Sequence, residues 1–282
     1  MNFFDQVLRG VDALVQQNLG IFDGMGQNLF RAFATILVVW YGVKAALSAG
    51  EHRGGLHFAN FVTLILMISF GFAMVSYYDA PIPGFGRDFH HLMTDEAANL
   101  SNRIGQANAQ RIADDTQYVL SNLEAPAITQ PIATFLYSLL WLAAVGTEAL
   151  ALVIVAFGVV ATALCILLGP VFIPFFIVPQ LDWLFWGWLK AFIQYSFYQV
   201  IAAGVLYIVS QFTYGIIHAQ ITGLMSATDL IRISPVLLVT YIAAIYAIIK
   251  VPMLTSHIFS GTSGGSSASI FDSVSRALGA AA

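Results

Sequence analysis

The sequence predicts an all-α, polytopic membrane protein, and three observations carry that expectation. Residues 125–181 contain a single charge, Glu148. No soluble domain hides that much continuous apolar surface, whereas a bilayer core takes about 20 apolar residues per helix. Hydrophobic residues make up 59% of the chain and charged residues 9%, against roughly 25% charged in an ordinary soluble domain. The apolar stretches also recur along the whole length, which implies one integral unit with aqueous appendages.

Each element follows from local pattern. Phe3, Phe4, Val7, Leu8, Val11, Leu14 and Val15 recur at helical spacing, with Asp5, Gln6, Arg9, Asp12, Gln16 and Gln17 between them. That is an amphipathic helix within 1–28, suited to a membrane surface or a partner helix. A first span covers about 29–47, with Arg31 and Lys44 near its ends, where long stems reach water. After a glycine-rich loop at 48–57, a second span covers about 58–78 and ends at Tyr77 and Tyr78, an interfacial pair.

Residues 79–131 differ in kind. They hold Arg87, Arg103 and Arg111 and seven acids, and Pro81, Pro83, Gly84 and Gly86 open the segment. Leu92, Ala97, Leu100, Ile104 and Ala107 then fall near helical period, predicting an aqueous helix over about 88–123. Residues 132–168 are longer than a bilayer is thick at about 1.5 Å per residue. They form one protruding helix or two spans meeting near Gly146. Gly169, Pro170, Pro174 and Pro179 break the helix that follows. Broken backbone at membrane depth is tolerated only under cover, so 169–179 is either a proline-kinked loop that merely turns the chain or, as expected here, a re-entrant or interfacial turn buried at subunit contacts.

Trp183, Trp186 and Trp188 mark an interface next to that break. A fourth span follows at about 189–213, where Lys190, Gln194, Tyr195, Tyr198 and Gln199 suit helix–helix hydrogen bonding. A polar connection at 214–233 leads to a fifth span from Pro235 to about Leu254. The tail, 255–282, carries the flexible run Gly261–Ser267 and a weak helix near 270–278. The resulting division is 1–28, 29–78, 79–131, 132–254 and 255–282. About five spans put the termini on opposite sides and all three lysines (Lys44, Lys190, Lys250) on one face. The positive-inside rule then places the C-terminus in the cytoplasm and the N-terminus and central loop outside.

Chemistry is sparse. A net charge of −4 offers no nucleic-acid-binding surface, and one cysteine, Cys165, excludes an intrachain disulfide or a thiolate cluster. There is no phosphate-binding glycine loop, no Gly-x-Ser-x-Gly and no His-Glu-x-x-His, so no enzyme, cofactor or metal is expected. His90 and His91 lie near Asp88 and Asp95, but adjacent residues on a helix point apart and seldom share an ion. Glu148 is a candidate intramembrane acid. It serves an ion or proton path, faces an aqueous lumen, pairs with a neighbouring subunit or sits at the edge of a longer helix. A stand-alone secondary transporter is the alternative reading. Transporters commonly carry paired broken helices in two repeats, and only one broken segment is present here.

The run Leu168-Gly169-Pro170-Val171-Phe172-Ile173, the step at Pro179, Trp183-Leu184-Phe185-Trp186-Gly187-Trp188-Leu189-Lys190 and the helix from Gln194 to Val200 together carry a resemblance. They resemble the TrbL-type polytopic inner-membrane subunit of type IV secretion and conjugal transfer systems. The motifs cover roughly 132–254, and the layout is similar elsewhere. Pro179-Gln180-Leu181-Asp182 stands where that family often has basic residues. The resemblance implies a non-catalytic channel or pilus-assembly platform in a Gram-negative inner membrane. It implies several copies ringing the base of a periplasmic stalk. The N-terminal helix and central loop would meet stalk and pilin-like subunits, and the tail would meet cytoplasmic ATPases. Transferred DNA or protein would touch the subunit transiently.

Overall fold

The computed structural model describes residues 3–48, 58–126 and 130–259. The glycine-rich loop after the first span, the Gly261–Ser267 run and the weak helix near 270–278 therefore lie outside the described residues.

Among the described residues seven helices follow in chain order: α1 Phe3–Ser48, α2 Phe58–Ser76, α3 Phe89–Asn122, α4 Pro131–Phe172, α5 Asp182–Gln220, α6 Ala227–Ile249 and α7 Val251–Phe259. A 3-10 turn, Ile173–Ile177, joins α4 to the α5 approach. No strand forms among the described residues; a single parallel bridge pairs Leu123 with Met225. Five helical segments among those residues are long and apolar enough to cross a membrane. The protein is thus an all-α, multi-pass membrane protein.

Several elements differ from their sequence reading. The N-terminal amphipathic stretch and the first span are one helix, because no proline interrupts 3–48 and the glycines near residue 24 only lower propensity. Residues 131–172 form one helix, roughly 63 Å long at 1.5 Å per residue, which exceeds the bilayer core of about 30 Å. The fourth span continues to Gln220, so the polar connection shrinks to 221–226. The fifth begins at Ala227, eight residues before Pro235. Ser226 caps it: its hydroxyl accepts from the Asp229 backbone while Asp229 reaches back to the Ser226 N–H. Pro235 then sits inside the helix and leaves the Ile231 carbonyl without its usual partner. The Ser234 hydroxyl donates to that carbonyl at 3.3 Å.

The chain divides into two compact units. The first comprises Met1–Val11, Thr94–Thr162 and Gln194–Ile258. Its core holds two clusters. One joins Ala109 and Ile112 of α3 to Val155 of α4, Leu206 of α5 and Ile248 of α6. The other joins Val119 and Leu123 to Leu140, Ile217, Leu230, Leu237 and Tyr241. The polar helix α3 therefore packs on α4, α5 and α6 of its own chain. The second unit comprises the described residues within Asp12–Met93 and Ala163–Ile193, with Phe259. In it α2 packs against the 3-10 turn.

Candidate functional site

The proline-broken elbow is the most specifically built feature of the second unit. Pro170 lies in the last turn of α4 and has no N–H to donate to the carbonyl four residues back, that of Ile166. The Tyr78 hydroxyl donates to that same oxygen at 2.7 Å. The Trp188 indole N–H donates to the neighbouring Cys165 carbonyl at 2.9 Å. Two buried aromatic side chains thus donate to successive carbonyls at the break, one of them the carbonyl that Pro170 leaves without its backbone donor.

Close approach makes this possible. A Cβ at Gly169 would overlap the Tyr78 phenol, and one at Gly26 of α1 would overlap the Pro170 carbonyl. A Cβ at Gly71 of α2 would come within 2.8 Å of the Phe30 ring. Gly169, Pro170, Pro174, Ile173 and Ile177 are buried. Within this chain α1 and α2 cover part of the segment: Gly26 lets α1 reach the Pro170 carbonyl, and Gly71 makes room for the Phe30 ring and the Ile177 side chain. Phe176 adds edge-on contacts with Phe70 at 5.8 Å and Phe185 at 5.1 Å between ring centroids. Pro179 is exposed, on the turn that leads into α5.

The tryptophan cluster divides. Trp188 is buried and stacks on Phe192 at 5.5 Å. Trp183 and Trp186 face outward, 64% and 44% exposed. The N-terminal face divides too. Val11 packs against the core cluster of the first unit, while Leu14 is exposed. Val7 and Val15 are half-buried. The side chains of Phe4 and Leu8 lie outside the described ones.

Within the first unit, a polar seam ties α3 to α5. Asn108 accepts a hydrogen bond from Ser210 at 2.9 Å, both buried. Asp115 lies 3.6 Å from His218, whose ring is flanked by Tyr118 and Tyr214 at 4.3 and 4.2 Å. Arg111 sits over the Tyr214 ring at 4.9 Å. Burial raises the Asp115 carboxyl above its ordinary value, outweighing the lowering by His218 and Arg111. Further along, Gln199 of α5 donates to the Gly158 carbonyl and the Thr162 hydroxyl of α4, as its place in an aromatic-polar helix suggests. Glu148 is half-buried on α4. No described residue forms an ion pair or hydrogen bond with its carboxylate.

The loop 77–89 is closed by backbone bonds from Phe89 to Tyr77 and from Ile82 to Arg87. Gly84 and Gly86 take positive φ, 90° and 68°, where a side chain is disfavoured. This brings Asp88 beside Tyr78. Asp88 caps α3 by accepting the His91 N–H at 2.8 Å. His90 and His91 sit in the first helical turn with rings 4.1 Å apart, so they converge where mid-helix neighbours would splay. Burial raises the Asp88 carboxyl, but bonds from the His91 backbone and ring and the nearby imidazoles outweigh it, and the net shift is downward.

Sequence reasoning identified the break but missed Tyr78, Gly26 and Gly71 as its supports. Tyr78 read as an interfacial residue, and small residues facing a proline leave no local signature. Tyr78, Trp188, Gly26, Gly71 and Gly169 serve the break by packing and by hydrogen bonds to its carbonyls.

Comparison with curated proteins finds no match. A protein-family model described as TrbL/VirB6 plasmid conjugal transfer protein matches residues 34–251, including the elbow, the tryptophan cluster and the long helices on either side. The chain belongs to the TrbL/VirB6 family of plasmid conjugal transfer proteins and is a component of the conjugal transfer, or type IV secretion, machinery.

Proposed function

We propose that this chain is the inner-membrane channel or platform subunit of the machine, assembled in several copies at the base of a periplasmic stalk. In that role it supports pilus assembly and substrate passage. The observation that carries this reading is the apolar surface of α4: Phe135, Leu142, Val153, Phe157, Val160 and Leu164 are all exposed along one helix too long for a bilayer alone. Lipid covers only about 30 Å of such a helix. The remainder calls for protein, and a second copy supplies matching surface at no cost in new sequence.

The lysine asymmetry supports a cytoplasmic C-terminus and a periplasmic N-terminus in a bacterial inner membrane. In this orientation Leu14 and the exposed face of α3 meet stalk and pilin-like subunits. The tail meets cytoplasmic ATPases and other inner-membrane subunits. Transferred DNA or protein passes as a transient guest.

Cysteine crosslinking tests the multi-copy claim directly. With Cys165 replaced by Ala, single cysteines at Phe135, Leu142, Phe157 and Leu164 are oxidised in native membranes. Disulfide-linked dimers at one or more positions are expected. Monomer at all four, in membranes that still support transfer, contradicts the claim.

A further inference from the structure

We propose that Asp88, His90 and His91 form a binding site for a divalent transition-metal ion of the zinc class, at the junction of the loop after α2 with α3. The donors already converge. The His91 Nδ1 lies 2.7 Å from both Asp88 carboxylate oxygens. The His90 Nδ1 lies 3.3 Å from Asp88 Oδ1 and 2.8 Å from the Tyr78 carbonyl oxygen. One ligand atom from each of Asp88, His90 and His91 falls within 4.8 Å of the other two. In a tetrahedral zinc site with bonds of about 2.0–2.1 Å, donors stand about 3.3 Å apart. Opening the 2.7 and 2.8 Å contacts by about half an ångström, with the proton that each Nδ1 now directs at an oxygen given up, admits the ion.

The chemistry of the donor set selects the ion. Two imidazole nitrogens and one carboxylate suit zinc, cobalt, nickel or copper, whereas magnesium and calcium prefer all-oxygen sets. The Tyr78 carbonyl or a water completes four-coordination. For both rings to ligate through Nδ1, their protons sit on Nε2: the half-exposed His91 reaches that tautomer freely, and His90 exchanges its Nδ1–H bond to the Tyr78 carbonyl for the bond to the ion. The cap that Asp88 provides to α3 needs only one carboxylate oxygen and the His91 backbone N–H; it does not require two rings to meet over the same carboxylate.

Supporting structure is in place around the ligands. His90 is buried and stacks on the Tyr78 ring at 5.5 Å. Tyr78 is itself fixed by its bond to Ile166. The loop is pinned by its own backbone bonds, so the donors are held before any ion arrives. His91 faces solvent, with a side chain 51% exposed, and provides the entry side. Because Tyr78 contacts both the site and the α4 break, an ion here stiffens the elbow as well as the start of α3.

The test uses the full-length, untagged protein, stripped with chelator and kept in detergent. Zinc titrated by calorimetry is expected to bind at one ion per chain and to raise the melting temperature. Cobalt is expected to give the visible absorption of a tetrahedral site. His91→Ala is surface-exposed and keeps the fold. Asp88→Asn retains a capping side chain. Each should weaken binding on the order of tenfold or more, while His218→Ala and His257→Ala leave it unchanged. No zinc binding by the wild-type chain overturns the proposal and leaves a hydrogen-bonded helix cap only. Binding that persists unchanged in both His91→Ala and Asp88→Asn overturns it equally.

Discussion

At the residue scale, the elbow works by substitution of one donor for another. Pro170 removes a backbone N–H, and Tyr78, 88 positions earlier than Ile166, returns a hydroxyl to the orphaned carbonyl. Tyr78→Phe keeps the ring and loses only that bond. It should destabilise the purified protein by about 0.5–1.5 kcal/mol, read as a lower melting temperature. Gly169→Ala places a methyl against the Tyr78 phenol and should cost about 1–3 kcal/mol. The comparison is Gly146→Ala in the same helix, where nothing lies within 4 Å. That change should be neutral or stabilising by up to about 1 kcal/mol. Equal effects at 169 and 146 contradict the close-approach argument. The break itself was legible, because prolines at 170, 174 and 179 announce it. Its rescue was not, because a hydrogen bond across 88 residues leaves no mark in any local window. Glu148 belongs to this scale too. With no partner among the described residues, Glu148→Gln should leave conjugal transfer largely intact. Complete loss of transfer at normal membrane levels assigns the residue an ion or proton role instead.

At the element scale, the central segment is less free than its polarity suggested. The period of α3 was readable, and so was its aqueous composition. Its docking onto α4, α5 and α6 was not, because few of its described side chains are buried and apolar: Ala109, Ile112 and Val119 meet those helices, and Leu123 does so just past its end. Tertiary packing decided the outcome. The seam includes a carboxyl with a raised pKa, so its sign can be worked out. Asp115 holds its proton more tightly folded than unfolded. Its contribution to stability is present below the ordinary carboxylate range, about pH 4, and is lost as pH rises through the raised folded value. Asp115→Asn should therefore be more stable than wild type near neutrality, and the difference should shrink as pH falls toward that range. A difference constant with pH contradicts the assignment. The N-terminal helix shows the converse. Its amphipathic pattern was legible, but which positions serve the chain's own core was not. Val11 packs internally, so the partner face is better tested at Leu14. Leu14→Asp should abolish transfer while the protein still inserts; normal transfer contradicts a partner role for that face.

At the scale of the whole molecule, composition decided the class, and helix length raises the question of assembly. The membrane character, the all-helical class and, among the described residues, five segments long and apolar enough to cross a membrane followed from apolar run lengths. Where helices end did not, since α4 and α5 continue well past the bilayer thickness without a change in propensity. Such helices present apolar faces longer than lipid covers, and the proposed cover is further copies and machine partners. The central claim is therefore one of stoichiometry. The most direct measurement is the mass of the complex gently extracted from conjugating cells, by native mass spectrometry. The account predicts several copies of this chain together, with other transfer subunits attached. A monodisperse monomer without partners would contradict it and would favour a stand-alone transporter.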